Sequence, residues 1–551
     1  MRTHLPSLLT ALCCTLALPA VAQQRLAAPA AAPASNPAQS FAEAAITPAE
    51  LRRHLTELAS DAYEGRETGQ PGQKKAAAYL TSQFEALGLR GPVTGSASPY
   101  QQPFGVVRYV PGSGGWLRTG AATFRAGHDF VCLGPSAFRT ETAAEPVFLG
   151  FGIETERYND YAAQPDVRGR DVLLLQGEPV DPRGRYLLSG SKQATEWSSV
   201  FRKAALARDK GARSVIVVSF AGSRTFAPLA ASMSAQLTEP AYELLDRVAQ
   251  PAAGFMLTEV PPPGITLLFA SADVGARLLG TTYAGLTGYL QASFRQQRPP
   301  AASFQLASFS VQLPQERQEL AAENVLGFLE GTDRKDEVLV VSAHYDHVGV
   351  QHDTIYNGAD DDGSGTSAVL ALARAFSEAK AAGQGPRRSM LFLLNAGEEK
   401  GLLGSEYYTG HPIFPLQNTV ADLNIDMVGR TDKKHTGKAS GYLYLIGSDR
   451  LSSELHALSE ATNQRTARLQ LDYHYNAPND PEQLYYRSDH YNFARHRIPV
   501  IFYTSGLHAD YHKATDDVEK IEFDNLTQRA RLIFYTAWEL ANREQRPVVN
   551  E

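Results

Sequence analysis

The sequence predicts an α/β fold, a mixed, largely parallel sheet with helices on both faces, carrying an inserted smaller α/β block. Three observations predict it. Continuous apolar runs at 338–341, 390–394, 443–446 and 500–502 alternate with helix-patterned stretches at 366–379, 453–462 and 525–542. Runs apolar on both faces, alternating with helices, belong to a parallel sheet covered on both sides. From about 145 to 300 the rhythm changes to short β-type runs (146–149, 172–175, 214–218) around one helical stretch at 199–210, enough for a separate small block. Finally, the later apolar runs end on ionisable residues, and ligands of open α/β sheets bind at the carboxyl ends of strands.

With 551 residues the chain exceeds one ordinary core. Hydrophobic residues at 43% and charged residues at 20% fit a soluble globular protein rather than a disordered or membrane-spanning one. A formal charge of −7 without a long basic block argues against a nucleic-acid partner.

Residues 1–22 read as an export signal, with Arg2 as the basic start, an apolar stretch over 5–18 and Ala20-Val21-Ala22 before Gln23. That stretch is short for a membrane span, so the expectation is an exported protein, periplasmic or secreted, with no membrane anchor after cleavage. Cys13 and Cys14 leave with the signal. Cys132 alone can form neither an internal disulfide nor a cysteine metal cluster, so any metal site must use His, Asp and Glu.

Residues 23–47, rich in Ala, Pro, Gln and Ser, predict a flexible leader. A first segment of the main domain over 48–144 opens with Leu51, Leu55 and Leu58 at helical spacing, then a turn over 65–72 and a second helix closed by Gly88. The block over 145–300 contains no histidine, which places metal chemistry elsewhere. Residues 301–551 complete the main fold.

Four strand ends deliver the chemistry. Run 338–341 leads into His344-Tyr345-Asp346-His347, run 390–394 into Glu398-Glu399, run 419–425 into Asp426, and run 499–503 into a loop with His508, Tyr511 and His512. Asp360-Asp361-Asp362 between glycines adds three mutually repelling carboxylates ahead of a helix N-terminus. Alone this triplet reads equally as a capped turn with solvated charges.

The order His344-x-Asp346, Gly358-Ala359-Asp360-Asp361-Asp362-Gly363-Ser364-Gly365, Glu398-Glu399, Asn424-Ile425-Asp426-Met427 and Tyr511-His512 resembles the co-catalytic di-zinc aminopeptidases. Ala59-Ser60-Asp61-Ala62-Tyr63-Glu64-Gly65-Arg66 resembles that family's entry segment, and the middle block more loosely resembles a protease-associated domain. The resemblance implies a zinc aminopeptidase-like fold with two Zn²⁺ per chain. It implies His344 and Asp426 on one ion, Glu399 and His512 on the other, and Asp361 bridging, because the family's bridging residue precedes one residue and then Gly-Ser-Gly. It implies Glu398 as general base, Tyr511 as oxyanion donor, and Asp346 hydrogen-bonding His344. His347, His352, His490 and His508 are read as surface or supporting groups.

Two Zn²⁺ against three carboxylates leave a net positive charge that favours a hydroxide ligand. The expected substrates are peptides, cut at the first bond from a free amino terminus. A carboxypeptidase or dipeptidase of the same fold, a one-zinc glutaminyl cyclase and a non-catalytic receptor-like ectodomain are the alternatives. Oligomeric state is not legible.

Overall fold

The computed structural model describes residues 37–550 apart from 145, 163–165, 233–238, 248–263, 302–303, 436–440 and 478–479. The export signal and most of the leader lie outside the described residues.

The main sheet has nine strands: β1 (Gln101–Pro111), β2 (Ala241–Leu244), β3 (Gln315–Leu329), β4 (Arg334–His344), β5 (Arg388–Asn395), β6 (Thr419–Ile425), β7 (Tyr442–Ile446), β8 (Gln470–Asp472) and β9 (Val500–Thr504). Their spatial order is β8-β7-β9-β6-β4-β5-β3-β1-β2. The central strands β5, β4, β6 and β9 run parallel. On one flank β3, β1 and β2 are antiparallel to their neighbours, and on the other β7 is antiparallel to β9. The sheet is therefore mixed, and "largely parallel" describes its centre.

Both faces are covered. Leu339 and Val341 of β4, with Met390, Phe392 and Leu394 of β5, face one apolar cluster; Val338, Val340, Leu391 and Leu393 face the other. Alternate side chains point to opposite faces, so a strand covered twice must be apolar at every position. The first cluster lies under α1 (Pro37–Ala45), α2 (Pro48–Leu58), α3 (Pro71–Ala86), α4 (Gly365–Ala381) and α7 (Phe523–Asn542). The second involves α5 (Leu403–Gly410), while α6 (Ser453–Arg465) packs on α7.

Two expectations are corrected here. The leader over 23–47 is not wholly a leader: α1 buries Ala38, Ala42 and Ala45 against α4 and α7, and Phe41 stacks on Trp538 at 6.1 Å. Alanines at 38, 42 and 45 share one helix face and let the backbones approach closely, a pattern hidden in an Ala-rich stretch. The middle block also begins before 145 and ends after 300. Strands Trp116–Thr119, Ala122–Arg125, Thr142–Ala144 and Phe309–Gln312 form a four-stranded sheet. Phe130–Leu133, Pro146–Phe148, Asp171–Leu175, Ser214–Val218 and Thr266–Ala270 form a five-stranded one. The middle segment leaves at the far end of the β1–β3 pair, where Gly112 N donates to Pro314 O at 2.8 Å. The strands of the four-stranded sheet mix polar and apolar residues, so no apolar run marked the segment's ends. The segment also returns β2 to the main sheet, beside β1.

Candidate metal centre

The parallel register carries the strand ends to one rim. His344 lies opposite Asn395, Ser342 opposite Asn424, and Ile425 opposite Tyr503. The residues just beyond these ends are Glu398-Glu399, Asp426 and the loop with Tyr511 and His512.

The three aspartates divide their work. Gly358 enters their turn in the left-handed region at φ +54, where a Cβ would meet Asp361 O at 2.3 Å. Asp360 accepts from Gly429 N at 2.6 Å, and Asp362 accepts from Gly365 N and Met427 N at 2.8 and 3.1 Å. Asp361 is left facing inward. Its Oδ1 lies 3.3 Å from His344 Nε2 and its Oδ2 lies 3.2 Å from His512 Nε2. Asp516 fixes the turn, accepting from the backbone N–H of Asp360 and Asp361 at 2.9 and 3.1 Å.

Asp426 Oδ1 lies 3.6 Å from His344 Nε2, and Glu399 Oε2 lies 3.0 Å from His512 Nε2. Thus the structure brings together all five residues assigned to metal. Glu398 reaches the same centre, with Oε2 3.8 Å from His344 Nε2. Tyr511 stacks on His512 at 3.9 Å between ring centroids, and its hydroxyl accepts from Arg487 Nη2 at 3.4 Å.

The support for His344 differs in its atoms from the expectation. Its Nδ1 donates to the backbone carbonyl of Asp346 at 3.1 Å, while the Asp346 carboxylate stands off at 3.8 Å. That carboxylate is already committed, accepting from Thr68 Oγ1 at 2.6 Å and Glu398 N at 3.2 Å. Either way the donated Nδ1 proton leaves Nε2 free to ligate a metal.

Several supporting groups escaped the sequence reading. Ser488 donates to Asp426 Oδ2 at 2.7 Å and accepts from Asn424 Nδ2 at 2.8 Å, leaving Oδ1 to face the centre. Arg66 is fully buried and donates to the carbonyls of Leu58, Tyr345, Asn357 and Gly358 at 2.7–2.9 Å, lashing the His344 loop to the aspartate turn. Arg66 stands in the entry segment quoted above, but a polar residue in a motif does not announce its partners. Three histidines read as surface or supporting groups are buried. His347 lies against Glu399, His490 stacks on Phe502 at 4.8 Å, and His508 Nε2 is 3.2 Å from Asp360 Oδ2. His352 is exposed.

The electrostatics call for cations. Burial pushes the Glu398 carboxyl well above the usual range; His344 opposes this, while Glu399 and Asp426 add to it. Burial would also raise Glu399, but His512 and His347 bring it down to about 2. Burial lowers His512, yet Glu399 and Asp361 raise it to about 11. Asp361 Oδ2 is a buried carboxylate oxygen with no hydrogen-bond partner, a costly arrangement unless something positive fills the space.

The spacing fits zinc. A tetrahedral ion bound at about 2.0–2.1 Å separates its ligand atoms by roughly 3.3 Å. The separations across His344, Asp361 and Asp426, and across His512, Asp361 and Glu399, run from 3.0 to 3.6 Å. Asp362 also lies near His344 and Asp426, and His347 near Asp361 and Glu399. One Asp362 oxygen, however, is held by two backbone donors, and only Asp361 spans both sides.

Residues 324–537 match the model of peptidase family M28. Among curated proteins, the chain is 26% identical over 234 residues to aminopeptidase YwaD of Bacillus subtilis, covering 41% of this chain and 46% of that protein. It is 31% identical over 215 residues to a probable leucine aminopeptidase of Arthroderma otae, covering 38% and 55%. The matches thus span about half the length of these curated relatives. Among solved structures, an aminopeptidase from Aneurinibacillus sp. strain AM-1 shares the fold over 93% of this chain and 98% of its own, with TM-score 0.52 and 18% identity.

Proposed function

We propose, taking residues 324–537 as a peptidase family M28 domain, that this chain is an exported zinc-dependent aminopeptidase acting on peptides at a two-zinc centre. One observation carries the proposal: buried Asp361 turns one oxygen to His344 and the other to His512. His344 and Asp426 would hold one ion, Glu399 and His512 the other, and Asp361 both. When bound, zinc supplies Lewis acidity, bringing the pKa of a water near 7 and polarising the scissile carbonyl.

The side chains do the rest. Glu398, on the same rim but outside the ligand set, takes the proton of the attacking water and delivers it to the leaving amine. Tyr511, accepting from Arg487, keeps its own proton to donate to the developing oxyanion. The Asp346 carbonyl holds the His344 ring, and Ser488 holds the Asp426 carboxylate. Residues 1–22 supply the export signal. Among the described residues no helix is long and apolar enough to cross a membrane.

The test is zinc analysis with a peptide panel, comparing wild type with Glu398→Gln. The expected result is two zinc ions per chain in both proteins, with turnover of free-amine peptides lower by about 10²–10⁴-fold in the variant. Full activity of Glu398→Gln overturns the base assignment. Cleavage of N-acetylated peptides points instead to a C-terminal exopeptidase, and a single zinc to a cyclase-type site. Unchanged cleavage after complete chelation would sink the whole reading.

A further inference from the structure

His347 is buried and has no part in the reaction just described, yet it touches the centre. Its Nδ1 lies 2.7 Å from Glu399 Oε1, on the side opposite the Oε2 atom that faces His512 at 3.0 Å. We propose that His347 is a positioning residue that holds Glu399 Oε1, so that Glu399 offers one oxygen, Oε2, to the ion shared with His512. The inference rests on the two-zinc reading.

Three features support it. A carboxylate with both oxygens free can chelate one ion through both, which changes its coordination number and uses the position a substrate needs. An imidazole nitrogen 2.7 Å from Oε1 occupies that side of the carboxylate, disfavours that option and orients the group, as outer partners of metal ligands commonly do. The His347 ring is also held where it is. Its backbone N–H donates to Arg66 O at 3.3 Å, and Gly358 packs so closely that a Cβ there would come within 2.5 Å of ring atoms Cγ and Cδ2. The competing role, His347 as a ligand in place of His512, fits the distances less well. His347 Nδ1 is 3.8 Å from Asp361 Oδ2, against 3.2 Å for His512 Nε2.

Zinc affinity separates these roles. Metal-stripped wild type, His347→Asn, His347→Ala and His512→Ala would be titrated with zinc against a chromophoric chelator, with the unfolding midpoint of each stripped protein as the folding control. Asn can still donate to Glu399 from nearly the same place but is a poor zinc ligand. The proposal expects His347→Asn to bind both ions within about 3-fold of wild type, and His347→Ala to weaken one of them about 10–100-fold. It expects His512→Ala to lose that ion altogether. His347→Asn losing an ion as completely as His512→Ala would make His347 a ligand and overturn the proposal. So would unchanged affinities in a folded His347→Ala, which would leave the ring a packing role. Wild type binding fewer than two ions would instead strike the parent reading, and this one with it.

Discussion

Replacing Gly358 by alanine should disturb the centre from outside the ligand set. The added Cβ would sit 2.3 Å from Asp361 O and 2.5 Å from the His347 ring, at a backbone φ of +54. The left-handed backbone costs about 1–2 kcal/mol for a residue with a Cβ. Forcing a methyl against backbone and a buried ring adds about 1–3 kcal/mol. The total is about 2–5 kcal/mol. Neither neighbour can yield freely, because the Asp361 backbone is pinned by Asp516 and the His347 ring is enclosed. Relief must therefore move Asp361, and a displacement near 1 Å costs about 10²-fold in turnover.

Gly383 supplies the control: its φ is +76, but a Cβ there meets nothing within 4 Å. Urea unfolding and kcat/KM, both in zinc-containing buffer, should show Gly358→Ala losing about 2–5 kcal/mol and about 10²-fold in kcat/KM. Gly383→Ala should lose only the backbone part, about 1–2 kcal/mol, with unchanged kcat/KM. Equal stability and equal turnover in the two variants would refute the argument that the turn is sterically locked.

Phe392 is fully buried with its ring 6.5 Å from Phe84 and 6.3 Å from Phe376, so Phe392→Ala should cost about 3–5 kcal/mol in urea unfolding. Ser488→Ala removes the donor on Asp426 Oδ2 and should weaken zinc binding about 10–100-fold in chelator competition, with the unfolding midpoint of the stripped protein little changed. Burial, helped by Arg53, depresses His54 from 6.5 to about 4, and burial depresses His490 to about 3. Between those values and 6.5 the unfolded chain binds protons that the folded chain refuses. The stability they contribute is therefore present above pH 6.5 and lost as pH falls toward 4 and then 3. Unfolding of chelated protein at pH 7 and pH 4.5 should differ by on the order of 2 kcal/mol per histidine. The gap should narrow in His54→Gln, and an unchanged gap would remove His54 from the account.

The sequence exposed those parts of the fold whose burial is two-sided. Runs such as 390–394 had to be strands within a covered sheet, and they became β5 with alternate residues in two cores. Small-residue packing was invisible, which is why α1 passed for part of a leader. The edges of the middle segment were misplaced because strands such as Ala122–Arg125 are half exposed and carry no apolar run. At the centre, the strand ends pointed to ionisable residues and the family resemblance singled out the expected ligands, yet the divided roles of the aspartates depend on partners elsewhere. Gly429, Met427 and Asp516 reach Asp360, Asp361 and Asp362 from far along the chain. Nor does a histidine's type say whether it faces water: His347 and His352 stand five positions apart, one buried and one exposed.

A buried cation beside these carboxylates, Arg66, explains why the rim needs something more. Arg66 spends its hydrogen bonds on four backbone carbonyls and none on Asp361, Glu399 or Asp426. It holds the loops in place but leaves the buried carboxylates to be balanced by the imidazoles around them. With only protons available, the balance falls to His344, raised well above its usual range by Glu398 and Asp426 despite burial, and to His512, raised to about 11 by Glu399 and Asp361. A protonated imidazole cannot ligate a metal, so protons and cations compete for the same few ångströms. His344 Nε2 faces Asp361 and Asp426, and His512 Nε2 faces Asp361, at 3.2–3.6 Å, farther apart than a strong charged hydrogen bond would set them, while His512 Nε2 and Glu399 Oε2 at 3.0 Å sit at that margin. The wider three of these four separations suit the cations proposed above better than a proton.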